Sequence, residues 1–149
     1  MKTMILALGN PILSDDAVGW EVADRLAEHL DDVEIIKSSA ATMDIIPHLA
    51  GCDRLLVIDA VKFGTAPPGS LHRLKLEDLA DTIYLSSPHD INFATAFQLA
   101  EKWGFHIPPD IRIYAIEVTE LNKFAEGCTP DVAKNLDKLT KQILADLKK

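Results

Sequence analysis

The chain has 149 residues, with 15 Lys and Arg against 23 Asp and Glu, a formal net charge of −8. That length fits one domain, and the 48% hydrophobic and 26% charged fractions are ordinary globular values, excluding a disordered tail, a collagen and a disulfide-dense scaffold. The acidic balance argues against non-specific binding to nucleic acid or to an anionic membrane surface, both of which call for Lys and Arg, and leaves cations, basic peptides and neutral partners.

Thr3 to Leu8 is a continuous apolar run stopped by Gly9-Asn10-Pro11, the pattern of a strand buried on both faces. From Val18 the period changes. Val18, Val22, Leu26 and Leu30 recur every four residues with Ala23 and Ala27 in the same stripe, which predicts an amphipathic helix. Ser14, Asp15 and Asp16 offer capping oxygens just before it. Val33 to Ile36 predicts a short strand and Met43 to Leu49 a short helix broken or begun near Pro47.

Arg54 to Ile58 is the clearest strand, and Asp59 ends it. Gly64, Pro67, Pro68 and Gly69 then mark a loop. Leu71 to Leu74 predicts a strand, Leu76 to Ala80 a helical turn and Thr82 to Leu85 another short strand. Phe93, Ala96, Phe97 and Ala100 mark a second helix, closed by Gly104 and Pro108-Pro109. Ile111, Ile113 and Ala115 alternate in a last strand. Val132, Leu136, Leu139, Ile143 and Leu147 predict one C-terminal helix, with Lys148-Lys149 favourably placed against its dipole.

Alternating buried strands and amphipathic helices predict an α/β fold: one three-layer domain over residues 1–149, with a mostly parallel twisted sheet of about five strands and helices on both faces. The longest N-terminal apolar run is too short for a secretory or membrane segment. Cys52 and Cys128 form no C-x-x-C pair and read as reduced thiols acting as small hydrophobes. A soluble cytoplasmic protein is expected.

In open α/β sheets ligands sit beyond the carboxyl ends of the strands. Asp15 and Asp16 follow the first strand, Asp59 ends the central one, and His89 follows the segment at 82–85. Two carboxylates and an imidazole suit a divalent transition metal with open positions such as zinc, nickel or iron, or metal-free acid–base chemistry. Each has a blander use. Capping is the commoner role for an acid at Asp16. Asp59 can accept backbone N–H groups of the turn after it, and His89 can simply start a helix. Gly9, Asn10 and Glu117 also stand at strand ends, Glu117 either lining the crevice or capping its own turn. His29, His48, His72 and His106 receive no role. Gly9-Asn10-Pro11 lacks both phosphate-loop patterns, and Asp15-Asp16 would repel phosphate, so nucleotide binding is not expected.

Over nearly the whole chain the sequence resembles the nickel–iron hydrogenase maturation endopeptidases. Gly9-Asn10-Pro11-Ile12-Leu13-Ser14-Asp15-Asp16-Ala17-Val18-Gly19 is similar to the family's G-N-x-L-x-x-D-[DE]-[GA]-x-G signature. Asp59-Ala60-Val61 with Gly64, Pro68-Gly69 and His72-Arg73 resembles its D-A-x-x-x-G-x-x-P-G segment, and Ser87-Pro88-His89 its S-x-H segment. Thr129-Pro130-Asp131-Val132 fits an [ST]-P-x-V element, while Cys128 and Ala115-Ile116-Glu117-Val118 depart from a common Leu and a frequent G-I-E-P. The resemblance implies an aspartate-dependent endopeptidase that removes the C-terminal extension of a nickel-loaded hydrogenase large-subunit precursor. It places the catalytic and metal-binding positions on Asp16, Asp59 and His89, with the nickel supplied by the substrate and no organic cofactor. Asp15, Gly9, Asn10 and Glu117 are expected to line the site. The partner expected is the precursor alone, with no nucleic acid, no membrane insertion and a monomeric state. The alternative is a non-catalytic checkpoint that holds the precursor without cutting it.

Overall fold

The structure, a computed structural model, describes residues 2–9, 14–38, 47–49, 51–75, 97, 100–119 and 128–148, apart from the side chains of Ser14 and Asp16. Five strands form one sheet: β1 (Thr3–Leu8), β2 (Val33–Ser38), β3 (Arg54–Val61), β4 (Leu71–Leu74) and β5 (Asp110–Glu117), in the order β2-β1-β3-β5-β4. All neighbours run parallel except β4, which pairs antiparallel with β5 at one edge. This is the three-layer α/β architecture expected.

The apolar run of β1 is buried at every residue because both faces of the sheet are covered. On one face Leu6 and Leu8 of β1, Val57 of β3 and Ile113 of β5 pack with Leu49, Cys52, Phe97 and Ala100. On the other, Ile5, Leu56, Ile58 and Tyr114 meet α1 (Val18–Ala27) through Val22 and Leu26. They also meet the C-terminal helix through Leu139 and Ile143.

Three expectations are corrected. The central strand does not stop at Asp59 but runs on to Val61, since β5 supplies hydrogen-bonding partners as far as Glu117. The C-terminal helix is two pieces, α2 (Pro130–Ala133) and α3 (Leu136–Leu147). Asn135 stands at the break, and its Nδ2 donates to the carbonyl of Asp131 at 2.7 Å, a local side-chain bond that competes with the helical ladder. The backbone of Gly69 presses against the same side chain, where a Cβ would lie 2.5 Å from Asn135 Nδ2. Third, the capping position of α1 is occupied by Ala17, after a 3₁₀ turn over Ser14–Ala17, and not by Ser14, Asp15 or Asp16.

Of the expected short helix at 43–49, residues 47–49 form a 3₁₀ turn and the rest lies outside the described residues. The turn at 76–80, the strand at 82–85, Phe93 and Ala96 of the second helix, and Lys149 also lie outside them. Phe97, Ala100 and residues 101–102 are helical. Among the described residues no helix is long and apolar enough to cross a membrane.

Candidate active site

Gly19 sets the geometry at the carboxyl ends of β1 and β3. A Cβ on it would lie 2.8 Å from the carbonyl oxygens of both Leu8 and Ile58, so only a hydrogen side chain lets α1 approach so closely. The 3₁₀ turn before α1 packs against β3, which carries the backbone of Asp15 and Asp16 to those strand ends. The side chain of Asp16, and Asn10 and His89 entirely, lie outside the described residues. Gly9 is buried there too, donating its N–H to the carbonyl of Ser38 at 3.0 Å.

Asp59 is fully buried on β3, on the sheet face that also presents Val57 and Val61. Its Oδ1 accepts the N–H of Ala60 at 2.8 Å, so the use as an acceptor for the following backbone is present. Burying a carboxylate in an apolar layer is costly unless it meets partners, and Asn or Ser could equally accept the Ala60 N–H.

Asp15, expected as a site-lining acid, braces the backbone around the strand ends. It is fully buried. Its Oδ1 accepts the N–H of Thr129 at 2.6 Å, and its Oδ2 accepts the N–H of Thr119 at 3.0 Å and the hydroxyl of Thr129 at 3.1 Å. One carboxylate thus ties the turn after β1 to the chain leaving β5 and to the start of α2. Asp15→Ala removes three part-buried hydrogen bonds, each at about 1 kcal/mol. The variant is therefore expected to shift the urea midpoint by the equivalent of about 3 kcal/mol at an unchanged slope.

Glu117 ends β5 and is also buried. It does not cap its own turn. Its Oε2 accepts the N–H of Gly64 at 3.1 Å and its Oε1 meets Nε2 of His72 at 3.0 Å. The main chain adds two bonds, Gly69 N–H to the Glu117 carbonyl at 2.7 Å and Glu117 N–H to the Ser70 carbonyl at 2.9 Å. The loop that leaves β3 after Val61 is thereby fastened to the end of β5. His72, given no role from the sequence, faces the same side of the sheet as Asp59. Only the antiparallel register of β4 reveals this, because the four residues Leu-His-Arg-Leu show no periodicity of their own.

Both cysteines are free. Cys52 lies in the core and Cys128 donates to Glu21 Oε2 at 2.9 Å. Burial pushes both thiols up, and at Cys128 the Glu21 carboxylate raises it further. Alkylation is a thiolate reaction. Both are therefore expected to react slowly with iodoacetamide at neutral pH in the folded protein and fully in denaturant, as read by intact mass.

A cavity of about 680 Å³ opens at the amino end of β5 beside β4, away from Asp59. Both of its arginines are engaged by acids: Arg73 Nε donates to Asp146 Oδ1 at 3.1 Å, and Arg112 Nε to Asp110 Oδ1 at 3.1 Å. Among the described residues, which include neither the Asp16 side chain nor His89, no three His, Cys, Asp or Glu side chains are grouped to hold a metal ion.

The hydrogenase maturation protease family model matches residues 20–146, and the chain belongs to that family. It is 26% identical to the Hydrogenase 2 maturation protease of Escherichia coli, over 99% of this chain and 92% of that one. Its fold superposes on the hydrogenase maturating endopeptidase HybD from E. coli with a TM-score of 0.81, at 26% identity over 99% of this chain and 93% of that one. A second likeness is to the [NiFe] hydrogenase maturation protease HybD from Thermococcus kodakarensis, with a TM-score of 0.78, 20% identity and 100% of each chain covered, and it bears on the fold alone. The chain is thus a hydrolase, an endopeptidase of hydrogenase maturation.

Proposed function

We propose that this protease removes the C-terminal extension of a nickel–iron hydrogenase large-subunit precursor after nickel has been inserted, and that it recognises the substrate's nickel through Asp16, Asp59 and His89. The observation that carries this reading is Asp59, a fully buried carboxylate near the carboxyl end of the central strand. It lies close to where Gly19 lets the turn bearing Asp16 approach β1 and β3. Two carboxylates and a neutral imidazole are borderline donors that suit nickel and leave positions for ligands the substrate already provides. Nickel is cargo here, part of the substrate, and no organic cofactor is needed.

Coordination would hold the scissile bond beside a water, turning a bimolecular encounter into an oriented one. Asp16 is the carboxylate assigned to take that water's proton. Two free thiols fit a reducing cytoplasm, and the protein is expected to act as a monomer. The test is to incubate the purified protein with nickel-loaded precursor and read the precursor's mass. Loss of a C-terminal peptide supports the reading. An intact precursor overturns it, and an intact precursor held in a stable complex would indicate a non-catalytic checkpoint instead.

A further inference from the structure

His72 and Glu117 form a carboxylate–imidazole pair that the proposed site does not use. Three observations bear on it: its position relative to Asp59, its orientation and its access. The first is register: Asp59 of β3 pairs with Ala115 of β5, and Ala115 pairs with His72 of β4. Directly paired residues present their side chains to one face, so Asp59 and His72 flank the strip of sheet over Ala115. Two strand spacings put their Cα atoms roughly 10 Å apart.

The second is orientation. Glu117 is 2% exposed and held at both oxygens, by Gly64 N–H on Oε2 and by His72 Nε2 on Oε1. Phe63 and the imidazole pack edge to face, with ring centroids 5.0 Å apart. A buried, fixed carboxylate that sets an imidazole's orientation is the arrangement by which a histidine is made ready for proton transfer. The third is access. The His72 side chain is 22% exposed, and its Nδ1 makes no hydrogen bond among the described residues. The nitrogen not engaged by Glu117 is thus the one left to meet a substrate.

We propose that His72 is a further catalytic residue, the acid that protonates the departing amine, with Glu117 as its positioning residue; this rests on the reading that Asp59 belongs to the cutting site. As the water oxygen bonds to the scissile carbonyl carbon, its proton passes to the carboxylate base. As the C–N bond breaks, its electron pair stays on nitrogen, which takes the proton from Nδ1 of protonated His72. Net proton return from the base to His72 through solvent restores both groups. The overall change is one water consumed, one carboxyl and one amine formed.

The experiment uses the full chain and nickel-loaded precursor, following cleavage in single turnover and precursor binding separately. His72→Gln is expected to slow cleavage by at least about 100-fold, the usual lower size of a general-acid contribution, with precursor affinity unchanged. His72→Ala is expected to lose cleavage likewise and to regain part of it when imidazole is added, a recovery that a merely structural histidine would not show. Glu117→Gln is expected to slow cleavage and alter its pH profile. A His72→Gln protein that cuts at the wild-type rate overturns the inference. So does a His72→Ala protein whose lost cleavage imidazole leaves unchanged. If the wild-type protein itself leaves the precursor intact, the proposed function falls; if it cuts and the His72 variants cut equally well, only this inference falls.

Discussion

Replacing Asp59 by Asn is expected to abolish precursor cleavage, by at least about a thousandfold, while leaving the protein as stable as before or slightly more so. Asn keeps the size and one oxygen, which can still accept the Ala60 N–H that Oδ1 accepts now. What it removes is a charge held in a fully buried position on β3. The burial cost of that charge disappears with it. A metal-binding carboxylate shows the reverse pattern in function, because an amide is a poorer and uncharged ligand. Thermal melting and single-turnover cleavage measured on the same preparation separate the two effects. Retained cleavage in a folded Asp59→Asn protein would remove Asp59 from the site. Loss of folding would make Asp59 a structural acid.

The second large effect is at Gly19. Alanine there gains about 1 kcal/mol of helix propensity, yet its methyl would lie 2.8 Å from two carbonyl oxygens, those of Leu8 and Ile58. Both belong to the sheet backbone and cannot rotate aside as a side chain would. Overpacking of this kind costs about 1–3 kcal/mol, and more against fixed atoms. Gly19→Ala is therefore expected to be destabilised by about 2 kcal/mol net. Relief of the clash moves the start of α1 away from β1 and β3, and the turn with Asp16 goes with it. Cleavage is expected to fall more than stability predicts, since about 1 Å of misplacement at a reacting group can cost 100-fold. Urea unfolding and cleavage at a temperature well below the melting point test the two parts. An unchanged midpoint would contradict the packing account.

Local pattern was enough for elements whose burial is set by their own residues. The unbroken apolar run of β1 and the four-residue stripe of α1 announced a strand covered on both faces and a helix covering one of them. The family motif around Asp16 was visible for the same reason, being contiguous. What local pattern missed was always decided from a distance. Asp59 reads as a stop, yet the strand continues, because β5 pairs with it as far as Glu117. The C-terminal helix reads as one stripe, yet it breaks at Asn135, where Gly69 from the β3–β4 loop presses. Asp15 and Asp16 are indistinguishable as neighbours in a motif. The partners that give Asp15 its structural task, Thr119 and Thr129, stand more than a hundred positions away. His72 gains its neighbours only through the register of an edge strand. Sequence thus discloses which segments stand at the strand ends more readily than what each of their side chains holds.

The central claim is that the protease reads nickel in its substrate before cutting. The most direct measurement compares the cleavage rate of one precursor prepared with and without nickel, using wild-type protein and the Asp16→Asn, Asp59→Asn and His89→Ala variants. Rapid loss of the C-terminal peptide only in the combination of wild type with nickel-loaded precursor is the result predicted. Equal cleavage of both precursors by the wild type, or full cleavage of the loaded precursor by all three variants, would contradict it.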